Sequence, residues 1–106
     1  MTASPKLPSV IKVGHIDFSI VLVPGCDIDA YGDCNLDEQR IRIDKDLKPH
    51  VMVETVLHEV SHACWPAHIR TVGGSEETVV SSLTPNLLQV WRDNKALIHW
   101  ITHTLS

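Results

Sequence analysis

The sequence predicts an α+β domain: a small antiparallel or mixed sheet of three strands packed on one amphipathic helix, with two further helices at the C-terminal end. Three observations carry this. Residues 15–23 and 40–44 alternate apolar and polar side chains with a period of two, which suits a half-buried strand. Residues 52–64 repeat their apolar positions at three and four, which suits a helix with one buried face. After Ser75 the apolar spacing stays helical almost to the end. A chain of 106 residues sustains one core. We place one domain at 10–106 behind a flexible tail at 1–9.

In chain order, residues 1–9 contain no apolar run of the kind a signal peptide needs. Residues 10–13 read as a lead-in strand or an extension of the next one. In residues 15–23, Ile16, Phe18, Ile20 and Leu22 alternate with His15, Asp17 and Ser19, and His15 reads as a surface strand residue. Val21 and Val23 make the far end apolar on both faces, so burial is expected there. Pro24-Gly25 closes the strand as a turn. Residues 31–34 form a short strand, and a turn at 35–38 returns the chain along Arg-Ile-Arg-Ile-Asp at 40–44. Ile41 and Ile43 should point inward. Arg40 and Arg42 should be solvated charges on a sheet edge.

The helix that follows has Pro49 in its first turn and Pro66 just past its end. Met52, Val53, Val56, Leu57, Val60, Ala63 and Cys64 define its apolar side, with Thr55, His58, Glu59 and His62 opposite. Ser75 is a natural N-cap, and Glu76 and Glu77 favour the positive end of the next helix dipole. Pro85 removes a backbone hydrogen bond and predicts a kink, or a restart capped by Thr84. Asn94 is expected to cap a last helix with Leu97, Ile101 and Leu105 on one face; His99 and His103 read as surface residues.

Composition narrows the function. The formal charge is −4 and no basic run occurs, which argues against a nucleic-acid partner held by phosphate contacts. No stretch is apolar enough for a membrane span. Three cysteines, with no C-x-x-C pair, fit a reducing cytoplasm better than a disulfide framework. Cys64 reads as core filling.

The most informative stretch is His58-Glu59-Val60-Ser61-His62, an H-E-x-x-H motif. Two histidines four apart on a helix project from one face, one turn apart, so both imidazoles reach one zinc ion. Glu59 lies about 100° round the helix, placed to act as a general base without ligating the metal. A catalytic zinc takes a third protein ligand. His68 stands at the metzincin spacing, but Trp65 then occupies the position where metzincins turn on glycine, with Pro66 after it. Glu76 or Glu77, beyond Gly73-Gly74, offers the gluzincin alternative, and the missing glycine favours a glutamate over His68.

With these pieces in place, the chain resembles the minimal gluzincin-type metallopeptidases of bacteriophages and prophages, relatives of the ImmA/IrrE-type peptidases. The resemblance rests on residues 40–44, on Thr55-Val56-Leu57-His58-Glu59-Val60-Ser61-His62-Ala63 and on Glu76-Glu77-Thr78-Val79-Val80-Ser81-Ser82-Leu83. Trp91-Arg92-Asp93-Asn94 and Trp100 extend it. It implies a zincin-like fold, a cytoplasmic setting in a phage's host, and Glu77 as third ligand, because Val80 and Leu83 then stand three and six residues on as that pattern requires. The expected activity is zinc-dependent hydrolysis of a peptide or protein substrate. His58, His62 and Glu77 would bind Zn²⁺ and Glu59 would serve as base. A peptide would lie along residues 40–44 as an added strand, with Tyr31 the weak candidate for stabilising the oxyanion. The competing expectation is a non-catalytic, zinc-stabilised phage protein that binds a host or phage partner.

Overall fold

The computed structural model describes residues 4–65 and 75–106. Four strands and three α-helices follow one another: β1 (Val10–Val13), β2 (Ile16–Val23), β3 (Gly32–Asn35), β4 (Arg40–Asp44), α1 (Pro49–Cys64), α2 (Glu76–Asp93) and α3 (Lys95–Leu105). A 3-10 turn at Gly25–Asp27 follows Pro24. The class is α+β, but the sheet has four strands rather than three and its order is β1-β2-β4-β3.

The additional strand comes from a hairpin. β1 pairs antiparallel with β2 from Val10↔Ser19 to Val13↔Ile16. Gly14 and His15 make the two-residue connection, with Gly14 at φ +64°. A positive φ at the first central position suits glycine and matches the twist of such hairpins. His15 therefore lies in the turn, outside the strand expected to contain it.

β4 is not an edge strand. It runs parallel to β2, with Ile41 opposite Ile20, and antiparallel to β3, with Cys34 opposite Ile41. Neighbours on both sides and helices on one face leave Ile41 and Ile43 fully buried. Arg40 and Arg42 lie on the opposite face. Arg42 Nε donates to Asp33 at 3.0 Å, and Arg40 pairs with Glu38. These arginines are thus ion-paired across the open face of the sheet rather than solvated at its rim. Apolar alternation identifies the inward face of a strand, but it does not identify its neighbours.

The core lies between the sheet and the helices. Ile11, Val13, Phe18 and Ile20 join Ile41 and Ile43 from the sheet, facing Val53, Val56, Val60 and Cys64 of α1. Val90 of α2 and Leu97, Trp100 and Ile101 of α3 complete it, and Leu7 packs against its margin. The far end of β2 is not buried as expected: Val21 and Leu22 are exposed. The buried residues of that strand, Phe18 and Ile20, lie toward its start.

The two sheet edges differ. Along β1, Lys12 N–H donates to Asn94 Oδ1 at 2.7 Å and Asn94 Nδ2 donates to Lys12 O at 2.8 Å. Gly14 N–H donates to Gln89 Oε1 at 2.6 Å. Side-chain amides of α2 and its C-terminus thus satisfy backbone groups that an edge strand would leave open. This also explains why Asn94 does not cap α3 with its side chain: the amide is engaged with Lys12 and with Val90 O. Among the described residues, no strand pairs with the outer side of β3.

Pro85 does not restart the helix. α2 is continuous from Glu76 to Asp93, and Thr84 Oγ1 donates back to Val80 O at 2.7 Å instead of capping a new segment. The Ser75 cap is as expected, its Oγ accepting from Thr78 N–H at 3.2 Å. Among the described residues, no helix is long and apolar enough to cross a membrane.

β3 approaches α1 closely because it begins with glycine. A Cβ on Gly32 would lie 2.9 Å from Thr55 Cγ2 and 3.0 Å from the Arg42 carbonyl oxygen. The backbone oxygen cannot move aside cheaply. Gly32→Ala is therefore expected to cost about 1–3 kcal/mol by overpacking, seen as a lower urea midpoint with an unchanged slope.

Cys64 is buried in the core, and burial pushes its thiol pKa up to about 11, with Cys34 adding in the same direction. The folded state then holds this proton after the unfolded chain has lost it. Stability should be intact below pH 9 and fall by about 2–3 kcal/mol as pH rises from 9 to 11. Denaturation curves across that range, compared with Cys64→Val, should show the slope in the wild type and its loss in the variant.

Candidate metal centre

The motif lies in the last two turns of α1, and β3 covers part of the same helix face. Thr55 and Glu59 are buried, although the sequence pattern put them on the polar side with His58 and His62. Gly32 allows this, since it admits β3 against Thr55, one turn before Glu59. His58 and His62 remain exposed.

The two imidazoles face each other. His58 Nε2 and His62 Nε2 are 3.2 Å apart, with ring centroids at 4.8 Å and planes at 73°. Two Zn–N bonds of about 2.0–2.1 Å at a tetrahedral angle span about 3.3 Å. The donor pair therefore fits a zinc ion with little adjustment. Ligand atoms of His58, Glu59 and His62 lie within 4.8 Å of one another, the one such group among the described residues. The C-terminal end of a helix also favours a cation through its dipole.

Glu59 is 5% exposed. Burial raises its carboxyl pKa above the ordinary range, His58 and His62 pull it back, and Asp33 adds to the rise. A carboxylate so placed is a better proton acceptor than one in open water.

The remaining residues named from the sequence are less close. Glu77 is exposed in the first turn of α2, where its Oε1 accepts from Ser81 Oγ at 3.0 Å. Neither it nor Glu76 belongs to the His58–Glu59–His62 group. His68 lies outside the described residues. His99 and His103 are exposed on α3, as expected.

Two hollows flank the motif, and both border Gly32, His58 and Glu59. One, of about 290 Å³, adds Ala30, Tyr31, Val51, Glu54 and Thr55. The other, of about 400 Å³, adds Asp33, Cys34, Leu36 and His62. Tyr31 thus lines the same cleft as Glu59. Sequence reasoning passed over Glu54, Val51 and Leu36. The first two stand four and seven residues before His58, on its side of α1, which was the available signal.

No family model, curated protein or solved structure matches this chain. Function must be argued from the site itself.

Proposed function

We propose that the protein is a zinc-dependent peptidase of gluzincin type. The observation that supports this most is the pair of facing histidine nitrogens 3.2 Å apart beside a buried glutamate. A purely structural zinc site does not need a buried carboxylate placed to act as a base.

In this reading His58 and His62 hold the ion and Glu77 completes the set. Zinc bound there supplies a Lewis acid that polarises a carbonyl and makes water more acidic. Glu59 accepts a proton from the attacking water as the water oxygen bonds to the carbonyl carbon. It then delivers that proton to the amide nitrogen as the C–N bond breaks, so acid and amine products leave. The peptide lies extended beside β3, which among the described residues has no strand on its outer side, rather than beside β4, which has neighbours on both sides. The two hollows would take side chains on either side of the reacting bond.

A second reading is a zinc-stabilised binding module. It draws on an exposed apolar stripe of α2, where Val80, Leu87, Leu88 and Trp91 share a face and Leu88 is 65% exposed. The two readings separate in one experiment. Zinc-loaded full-length chain is incubated with a broad peptide library, with His58→Ala as control. New peptide termini from the wild type alone support the peptidase. Stoichiometric zinc without any cleavage favours the binding module.

A further inference from the structure

We propose that the hollow beside His58 and Glu59 receives a lysine or arginine side chain of the substrate, and that Glu54 selects it. This rests on the peptidase reading.

The hollow is small: its volume of about 290 Å³ lies just below the usual range of ligand clefts. Ala30, Tyr31 and Val51 give it apolar walls, and buried Thr55 and Gly32 also line it. Such walls suit the aliphatic stem of a long side chain. Glu54 and Glu59 line it together with His58, the proposed metal ligand, and no lysine or arginine does. Glu54 stands one turn before His58, is exposed, and has no ion-pair partner among the described residues. The surroundings do not offset this. An adjoining hollow, sharing Ala30 and Gly32, is bordered by Asp27, Asp29, Asp33 and Arg42, and Arg42 is already engaged by Asp33.

These features favour a basic side chain over the other classes. An acidic side chain meets two carboxylates. A purely apolar one would strip water from Glu54 and return no partner. A basic side chain packs its stem on Val51 and Tyr31 and brings its charge to Glu54. The Tyr31 ring adds attraction for the cation.

The test is to map cleavage sites of zinc-loaded wild type, Glu54→Gln and Glu54→Lys in a peptide library by mass spectrometry. Matched fluorogenic peptides then carry Arg, Leu or Glu at the selected position. Lysine and arginine should be enriched at one position next to the cleaved bond. Glu54→Gln should lower kcat/KM for the Arg peptide by at least about tenfold relative to the Leu peptide, with zinc content unchanged. Glu54→Lys should move the preference to the Glu peptide. Cleavage without basic enrichment, or equal loss on both peptides in Glu54→Gln, overturns the assignment and leaves the peptidase reading standing. Absence of all cleavage by the zinc-loaded chain overturns both.

Discussion

Glu59→Gln is expected to bind as much zinc as the wild type and to lose peptide hydrolysis by roughly 10²–10⁴-fold, the range a positioned general base contributes. Glutamine keeps the shape of the side chain and its packing beneath β3, so α1 and the two histidines should stay in place. What it cannot do is take a proton from water. The loss should appear in kcat, with KM little changed, because the carboxylate acts on the transition state more than on the bound peptide. Circular dichroism and zinc content measured on the same preparation separate this from misfolding. A variant that retains wild-type kcat would remove Glu59 from the chemistry.

The second large effect is expected in zinc affinity. His58→Ala and His62→Ala should each weaken binding by more than the 10–100-fold that follows loss of a merely supporting group near a metal. Glu77→Ala should do the same if this glutamate is the third ligand, while Glu76→Ala and His68→Ala keep the metal. On the proposed reading zinc binds the folded chain, so loading at about a hundred times Kd should stabilise it by about 2.7 kcal/mol, a rise in Tm of about 10–20 °C for a domain this size. Elemental mass spectrometry and thermal melts with and without zinc check both points. Retention of zinc in Glu77→Ala and its loss in His68→Ala would replace the gluzincin arrangement with the metzincin one. The position of Glu77, exposed and bonded to Ser81, makes this the most informative single substitution at the site.

The helix carrying the motif was legible because its signal is local. Apolar residues at three and four from Met52 to Cys64, with Pro49 at the start, specify a helix whose one face is buried, and i, i+4 spacing alone brings His58 and His62 together. Ile41 and Ile43 were legible as inward residues for the same reason, as was the Ser75 cap. Of the two readings of residues 10–13, a lead-in strand or an extension, the separate strand holds, and the Gly14-His15 connection, a glycine between two apolar runs, is the local signal for it.

What sequence periodicity cannot contain is the identity of partners distant in the chain. The parallel pairing of β2 with β4 places Arg40–Asp44 inside the sheet, and nothing within those five residues distinguishes that from an edge. Pro85 is tolerated within a continuous α2, where local rules predict a kink or a restart and the restart does not occur. Asn94 is withdrawn from capping because Lys12, 82 residues away, offers both a donor and an acceptor. Glu59 looked like a polar-face residue until β3, admitted by Gly32, covered that side of α1. The sequence by itself therefore determined the facing histidine pair, their helix and the inward faces of the strands, all set by spacing over one or two turns. Tertiary structure alone decided the burial of Glu59, the open edge at β3 and the acidic hollow at Glu54, because each depends on which distant segment excludes water from a given face.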